Sequence, residues 1–111
     1  MSCLFCKMAS GEIPVAFVSK SESVFAINDI SPQAPVHVLI IPKSHHENAA
    51  ELSAADSVVL AEMHATAAKI AAELGLDGYR SVFNTGASAG QSVFHAHLHL
   101  LGGRQFAWPP G

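Results

Sequence analysis

The alternating segment from His95 to Leu101 restricts the fold of this chain more than any other feature. Histidine stands at positions 95, 97 and 99, and alanine or leucine stands at 96, 98 and 100. Because successive side chains of a strand point to opposite faces, this alternation predicts a strand with three imidazoles on one face and core residues on the other. Burying three unpartnered polar rings is costly, so we expect the histidines to face an open cleft.

The length and composition of the chain predict one compact domain over residues 1–111. Of the 111 residues, 50% are hydrophobic and 14% are charged, which is far from the composition of disordered chains. The net charge of −3 leaves no excess of cations to neutralise a row of phosphates, so we expect no polymeric nucleic acid as a partner. The sequence has neither a signal-peptide pattern nor an apolar run of ~18 residues, and we expect a cytoplasmic protein without a membrane partner.

Turn residues and runs of apolar residues predict the elements of the first half. A short helix over residues 5–10 is closed by Gly11 and stopped by Pro14, because proline cannot continue a helix. Runs of β-branched and aromatic residues predict strands over residues 15–18, 24–30 and 36–41, of which the first two form a hairpin.

The second half combines a long helix with two more strands. Apolar residues recur at helical spacing from Ser53, where Asp56 completes a capping box, to Gly75. Strands are predicted over residues 79–83 and 92–101, on either side of a glycine-rich loop over residues 84–91. The sequence therefore predicts an α+β fold, in which a mainly antiparallel sheet of about five strands packs on one long helix, with a short N-terminal helix added.

The loop that leads into the histidine strand contains Gly86, Gly90 and Ser92. Small residues let backbone N–H groups approach an anion closely, which favours a phosphate site. Two kinds of chemistry fit histidines on one face of a strand. One is a zinc ion that also holds a water, and the other is a nucleophilic imidazole whose neighbours handle protons and charge. The glycine-rich loop favours the second interpretation.

The segment from Gly90 to Leu101 resembles the signature of the histidine triad (HIT) family, in which three histidines alternate with apolar residues. Further segments resemble the nucleoside phosphoramidate hydrolases of the HINT branch of that family: Phe5-Cys6-Lys7, Gly11-Glu12-Ile13-Pro14, Asp29-Ile30-Ser31-Pro32-Gln33-Ala34-Pro35-Val36-His37, Gly102-Gly103-Arg104-Gln105 and Trp108-Pro109-Pro110-Gly111. The resemblance covers nearly the whole chain and implies a HIT-like fold.

The resemblance implies catalytic roles for four residues. His97 matches the central histidine, which attacks the α-phosphorus of a nucleotide and forms a nucleotidyl-histidine intermediate that water then hydrolyses. His99 and His37 match histidines that contact the phosphate and relay protons, and Ser92 matches a residue that hydrogen-bonds near the leaving group. No metal is needed for this reaction. The nucleotidyltransferases of the family typically have glutamine at the position that matches His99, so the histidine in this chain favours hydrolysis.

The same resemblance implies a purine nucleotide substrate. Asp29 matches the residue that binds the ribose hydroxyls, although an acid at this place also caps turns. Asn84 matches a residue beside the phosphate, and Gly90 and Gln91 belong to the adjoining loop. The resemblance also implies an apolar slot for the base, whose members are equally compatible with an ordinary core: Leu4, Phe5, Met8, Ile13, Ile27 and Ile30.

The C-terminal segment is the part of the chain that the resemblance connects with a homodimer. In HINT relatives this segment reaches the active site of the partner subunit, which assigns Trp108 to substrate binding. An apolar chain of 111 residues also gains by burying one more face against a second copy. We therefore expect a symmetric homodimer.

Cys3 and Cys6 are separated by two residues, which is too close for a disulfide scaffold. In some HIT relatives such a pair binds a structural zinc together with two histidines, which match His45 and His95 here, and His46 could replace His45. Two cysteines with two histidines are a common closed set of zinc ligands. Two free thiols without a metal are the alternative.

Two other functions are compatible with the sequence. Dinucleoside polyphosphate hydrolases also keep three histidines, but they do not usually end in Trp-Pro-Pro-Gly as this chain does. A phosphate pocket also suits a non-catalytic nucleotide-binding or scaffold protein. An assay of turnover distinguishes these functions from phosphoramidate hydrolysis.

Overall fold

The computed structural model describes residues 3–111. Its helices are α1 (Leu4–Ser10), α2 (Ala49–Ala55) and α3 (Ser57–Glu73), and its strands are β1 (Phe17–Lys20), β2 (Val24–Asn28), β3 (Val36–Pro42), β4 (Tyr79–Val82) and β5 (Leu98–Gly102). A short 3-10 turn over Ala87–Ala89 lies in the loop between β4 and β5. The predicted α+β fold class is confirmed. None of the helices described over this range has the length and apolarity needed to cross a membrane.

The five strands form one antiparallel sheet in the order β1-β2-β3-β5-β4. The first three strands are neighbours in sequence and in the sheet, and β5 pairs with β3 on one side and with β4 on the other. In this register His99 lies opposite Leu39, and His37 lies opposite Leu101. The central strands β3 and β5 therefore bring together two histidines that are 62 residues apart in sequence.

The two faces of the sheet carry separate apolar clusters. The cluster that packs against α3 includes Val38, Ile40, Ala96, Leu98 and Leu100. The cluster that packs against α1 contains Phe5, Phe25, Ile27, Leu39 and Ile41. The core face predicted for the histidine segment is therefore confirmed, and His37, His97 and His99 lie on the side of α1.

The prediction of one long helix from Ser53 is wrong at its N-terminal end. The side chain of Asn48 accepts a hydrogen bond from the backbone N–H of Glu51 at 2.9 Å and starts α2 earlier in the chain. At Asp56 the backbone leaves helical geometry (φ −155°, ψ 80°), and the carboxylate of this residue accepts from the N–H of Val59 to start α3. Asp56 is thus an N-cap of its own and separates two helices.

The last strand is shorter than predicted, because β5 begins at Leu98 and not at residue 92. Continued by two residues, the register would place Ala96 opposite Pro42, which has no N–H to donate to the ladder. The carbonyl oxygen of Pro42 instead accepts a hydrogen bond from Nε2 of His95 at 2.7 Å. His95 and His97 consequently lie in the segment just before the strand.

Candidate active site and metal centre

His97 is held in one orientation by the backbone of a neighbouring histidine. Its Nδ1–H donates to the carbonyl oxygen of His95 at 2.8 Å, so the neutral ring has its lone pair on Nε2. The rings of Phe5 and His97 meet edge to face with centroids 5.2 Å apart. The Nε2 lone pair of a neutral imidazole held in this way can act as a nucleophile.

A chain of hydrogen bonds determines which nitrogens of His37 and His99 carry hydrogen. The backbone N–H of Gln33 donates to Nδ1 of His37 at 3.0 Å, so the neutral His37 ring has its hydrogen on Nε2. This Nε2–H donates to Nδ1 of His99 at 2.9 Å. The hydrogen of His99 is therefore on Nε2, which is buried and has no partner among the described residues. A buried donor of this kind is a candidate contact for an anionic ligand.

His99 is a neutral hydrogen-bond donor at physiological pH. Burial lowers the pKa of His99 to about 4, and the neighbouring His97 and His37 add to this effect against the opposing effect of Asp29. The ring centroid of His99 lies 4.9 Å from that of His97 and 5.2 Å from that of His37. The three rings thus form one contiguous group.

Asp29 lies at the end of β2 and joins this group through His37. Its Oδ2 is 3.4 Å from Nε2 of His37, and its backbone N–H donates to the carbonyl of His37 at 2.9 Å. Its Oδ1 accepts from the backbone N–H of Ser31 at 2.8 Å. The turn-capping role considered from the sequence is therefore present, and the binding of ribose hydroxyls by the remaining lone pairs of this carboxylate stays a prediction.

A second group of side chains contains all four residues that were predicted to bind a metal: Cys3, Cys6, His45 and His95. Nδ1 of His95 lies 3.4 Å from Sγ of Cys3 and 3.6 Å from Sγ of Cys6. Nδ1 of His45 lies 3.4 Å from Sγ of Cys6 and 3.1 Å from Nδ1 of His95. Zinc bond lengths of ~2.3 Å to sulfur and ~2.0–2.1 Å to nitrogen place tetrahedral ligand atoms about 3.3–3.8 Å apart. The spacing of these four side chains fits zinc.

The hydrogen bonding of His95 also fits a metal ligand. The carbonyl oxygen of Pro42 can only accept, so Nε2 of His95 carries the hydrogen and Nδ1 presents its lone pair to the cysteines. Burial lowers the pKa of His95 and raises the pKa of the Cys6 thiol, to which Cys3 also contributes. His95 is 0% exposed, and its ring is turned toward Pro42. The expectation that three histidines face one open cleft is therefore wrong for His95.

Asp29, His37 and His99 also lie within metal-binding distance of one another, but their hydrogen bonding disfavours a cation. The nitrogen of His37 that faces the other two residues carries a hydrogen, because the backbone N–H of Gln33 occupies the opposite nitrogen. A nitrogen that carries a hydrogen has no lone pair for a metal. The carbonyl of Pro42 leaves His95 with a lone pair that faces the cysteines, whereas the N–H of Gln33 leaves His37 with a hydrogen that faces Asp29 and His99. The first cluster therefore suits a metal ion and the second does not.

Gln91 holds the glycine-rich loop in place. Its amide oxygen accepts from the N–H of Gly86 at 2.8 Å, and its amide nitrogen donates to the carbonyls of Glu47 at 2.7 Å and Val93 at 3.1 Å. The residue is only 4% exposed. Its side chain is therefore engaged with the backbone of the loop, and the assignment of Gln91 to substrate binding stays a prediction.

The other predicted residues of the loop lie near its surface. Gly90 has a left-handed backbone (φ +98°), and a Cβ built on it would lie 3.9 Å from Nδ2 of Asn84. Ser92 is exposed. The loop thus brings Asn84 and Gly90 together, and the phosphate and leaving-group contacts assigned to these three residues stay predictions.

The residues of the predicted apolar slot differ in burial, and their contact with a base stays a prediction. Phe5 and Ile27 are buried in the cluster beneath α1, and Met8 packs against it. Ile13 is half-buried. Leu4 is 45% exposed and Ile30 is fully exposed, so these two lie at the surface.

Trp108 lies on the C-terminal segment and is 83% exposed. In the part of the chain that the structure describes, no hydrogen bond or ring contact joins this residue to the histidines. The prediction that it binds substrate depends on the partner subunit and is not tested within one chain.

Two residues of the site were missed by the sequence reasoning, Gln33 and Pro42. The backbone N–H of Gln33 donates to Nδ1 of His37, and the backbone carbonyl of Pro42 accepts from Nε2 of His95. A side-chain pattern does not reveal such contacts. The only available signal is their place in the sequence, because Pro42 ends the strand that carries His37 and Gln33 lies in the proline-containing loop just before this strand.

Comparison with known proteins identifies the family. The model of the HIT domain matches residues 10–106. An uncharacterized HIT-like protein from Synechococcus elongatus is 47% identical over 97% of this chain and 96% of its own length. A 14 kDa zinc-binding protein from Zea mays is 46% identical over 97% of this chain and 87% of its own length.

A solved structure extends this similarity to three dimensions. The HIT family hydrolase from Legionella pneumophila superimposes with a TM-score of 0.94 at 51% identity, over 99% of this chain and 100% of that chain. This chain belongs to the HIT domain family.

Proposed function

We propose that this protein hydrolyses purine nucleoside 5′-phosphoramidates, or related nucleotidyl conjugates, at the α-phosphorus through a nucleotidyl intermediate on His97. The single observation that carries the proposal is the 2.8 Å hydrogen bond from Nδ1 of His97 to the carbonyl of His95, which leaves Nε2 free to attack. Similarity to a HIT family hydrolase supports hydrolysis as the type of reaction.

The first step transfers the nucleotidyl group to the enzyme. A bond forms between Nε2 of His97 and the α-phosphorus, and the bond from phosphorus to the leaving nitrogen breaks. The electron pair of that bond stays on the leaving nitrogen, which takes up one proton to depart as the amine. The water that attacks in the second step gives up one proton, so that the two steps together balance. Ser92, predicted to lie beside the leaving group, is the candidate to hydrogen-bond this nitrogen.

The second step returns the enzyme to its starting state. Water attacks the phosphorus, the bond to Nε2 of His97 breaks, and a nucleoside monophosphate is released. Nε2 of His99 carries the hydrogen, because its own Nδ1 accepts from His37, and this Nε2–H has no partner among the described residues. We assign it as the donor to a phosphate oxygen of the bound nucleotide. A fixed donor that meets developing charge stabilises the transition state.

We assign binding of the nucleotide to side chains that surround His37, His97 and His99. Asp29 would accept from the ribose hydroxyls, and the apolar side chains beneath α1, Phe5 and Ile27 among them, would contact the base. We propose that a homodimer completes the site through Trp108 of the second copy. Its exposure of 83% in one chain is compatible with that role.

We also propose a structural zinc held by Cys3, Cys6, His45 and His95. A relative that is 46% identical is described as a 14 kDa zinc-binding protein, and the spacing of the four ligand atoms fits the ion. When bound, zinc with four protein ligands supplies a cross-link and has no open position for chemistry. It would join the start of α1, the segment after β3 and the segment before β5.

A panel of nucleotide conjugates tests the proposed reaction. The purified protein is incubated with nucleoside phosphoramidates and with dinucleoside polyphosphates, and the products are separated by chromatography. We expect turnover of the phosphoramidates to exceed that of the polyphosphates, with His97→Ala inactive. Faster cleavage of dinucleoside polyphosphates would instead make this a polyphosphate hydrolase, and binding without any turnover would make it a nucleotide-binding protein.

A further inference from the structure

Arg104, which follows β5, holds the loop that connects Asp29 with His37. Its Nε and Nη2 both donate to the carbonyl oxygen of Gln33, at 3.3 and 3.2 Å, although the two residues are 71 positions apart. The third arm of the guanidinium, Nη1, donates to the carbonyl of Gln105 at 3.1 Å. The planar fork of arginine is suited to such a contact.

The local geometry brings this guanidinium close to the loop. Gly103 has a left-handed backbone (φ +89°), and a Cβ built on it would lie only 3.0 Å from Cβ of Pro35. A larger residue would therefore be strained at this φ and would press against the ring of Pro35. On its other side the guanidinium of Arg104 stacks on the ring of Phe106, with Cζ 4.2 Å from the centroid. Gly103 and Phe106 thus fix the position of Arg104.

The loop residue that Arg104 holds helps to fix the hydrogen positions of His37 and His99, together with the Asp29 carboxylate, which lies 3.4 Å from Nε2 of His37. The N–H of Gln33 donates to Nδ1 of His37, whose Nε2–H donates to His99. If Gln33 moved away, His37 could place its hydrogen on Nδ1 instead. Nδ1 of His99 would then have to become the donor between the two rings, and its Nε2 would present a lone pair to the substrate. A lone pair repels a phosphate oxygen.

We propose that Arg104 is a positioning residue that keeps His99 as a donor to the phosphate by fixing the Gln33 N–H on His37. This proposal rests on the proposed function, in which His99 contacts the phosphate. Arg104 acts through backbone groups and touches neither the reacting atoms nor the substrate.

The experiment compares two arginines that contact the same aromatic ring. Arg80 also stacks on Phe106, at 5.0 Å, and donates to the carbonyl of Ala107, but it has no contact with Gln33. Ring ¹⁵N shifts of the full-length protein report which nitrogen of each histidine carries hydrogen, and kcat and KM are measured on an adenosine phosphoramidate. For Arg104→Ala we expect hydrogen on Nδ1 of His37 in part of the population and a roughly tenfold fall in kcat with little change in KM.

Arg80→Ala serves as the matched control, and we expect wild-type ring shifts with kcat within about twofold of wild type. Wild-type shifts of His37 in Arg104→Ala would overturn the proposal, whatever the activity. Equal losses of kcat in both arginine variants would also overturn it, because the loss would then come from a loosened C-terminal segment. If the wild type lacks hydrolase activity, the proposed function fails, while the ring shifts still decide whether Arg104 controls the hydrogen on His37.

A second pair of variants tests the hydrogen bond itself. Gln33→Pro removes the N–H that donates to His37, whereas Gln33→Ala keeps this N–H and removes only the side chain, which donates to the carbonyl of Ser31 at 3.0 Å. We expect the ring shifts of His37 to change in the proline variant and to stay as in wild type in the alanine variant. Unchanged shifts in Gln33→Pro would show that this N–H does not set the hydrogen position of His37.

Discussion

The carbonyl oxygen of His95 accepts a hydrogen bond from Nδ1 of His97 at 2.8 Å, while the ring of the same His95 faces two cysteines. His95 thus serves the proposed nucleophile through its backbone and the candidate metal centre through its side chain. His95 contributes only its backbone carbonyl to the contact with His97. The contact therefore does not require a metal on the His95 ring as long as the fold is intact.

The first prediction concerns zinc. We expect about one zinc per chain after purification without added metal or a His-tag. Replacing both Cys3 and Cys6 by serine should abolish zinc binding and lower the melting temperature, since the cross-link is lost. Activity measured at low temperature, where the variant is still folded, should remain. Elemental analysis and thermal unfolding check these outcomes.

The neighbouring histidines 45 and 46 provide a matched control for the metal. Nδ1 of His45 lies 3.1 Å from Nδ1 of His95, whereas Nδ1 of His46 lies 3.9 Å from a carboxylate oxygen of Glu51. His45→Ala should therefore reduce zinc content and His46→Ala should not. Metal far below stoichiometric in the wild type, with an unchanged melting temperature in the double cysteine variant, would leave only two free thiols.

The second prediction concerns stability in acid. The pKa of His99 is lowered from 6.5 to about 4 in the folded protein. Between these two values the unfolded chain binds a proton that the folded protein does not, so the free energy of unfolding falls as the pH decreases from about 6.5 to about 4. Above pH 6.5 the contribution of His99 to stability is fully present.

Urea denaturation at several pH values between 7 and 4 measures this effect. Two proteins are compared, one with the native His99 and one with His99→Gln. Both lack Cys3 and Cys6, so that release of zinc does not contribute. We expect a smaller loss of stability in acid for the glutamine variant, because glutamine does not titrate. If the free energies of unfolding of the two proteins fall in parallel as the pH decreases, His99 does not contribute to the acid sensitivity.

The third prediction is a symmetric homodimer. β4 lies at the edge of the sheet, and Tyr79 on this strand is 41% exposed. A cleft of about 630 Å³ lies beside it, between residues 75–80 and 103–106. Unpaired edge strands are open to pairing with another chain. Light scattering at micromolar concentration should give twice the chain mass of 11.6 kDa, and a mass equal to one chain would contradict the prediction.

The fourth prediction concerns the C-terminal segment. Removal of residues 108–111 should change the preference among phosphoramidate substrates more than it changes the melting temperature, because Trp108 is 83% exposed and contributes little to the core of one chain. The ratio of kcat/KM values for two different leaving amines measures the preference. If this ratio is the same with and without the segment, Trp108 has no role in selectivity.

Much of the fold could be predicted from the sequence, because its elements have strong local signals. The alternation of Ala96, Leu98 and Leu100 identified the core face of the last strand, and Gly11 closes α1 in a left-handed conformation as expected. The helix boundary at Asp56 was missed because Ser53 and Asp56 were interpreted as the capping box of a single helix. Asn48 followed by Glu51 was the available signal for a second, earlier helix start.

The histidine site was predicted in its members and only partly in its arrangement. Alternation placed His95, His97 and His99 on one face, but the strand ladder stops at Leu98, since Pro42 has no N–H and its carbonyl is occupied by His95. Where the ladder stops depends on a proline more than 50 residues away in sequence. The nitrogens of His37 and His97 that carry hydrogen likewise depend on backbone groups, the N–H of Gln33 and the carbonyl of His95. Side-chain patterns do not reveal such contacts.

The most direct test of the account is to trap the covalent intermediate. The wild-type protein is mixed with an adenosine phosphoramidate, quenched in alkali and analysed by intact mass and peptide mapping. We expect an added adenylyl group on His97, and none in His97→Ala, whose turnover should fall by roughly a thousandfold or more while nucleotide binding persists. An adduct found only on another residue, or turnover by His97→Ala within tenfold of wild type, would contradict the assignment of His97 as the nucleophile.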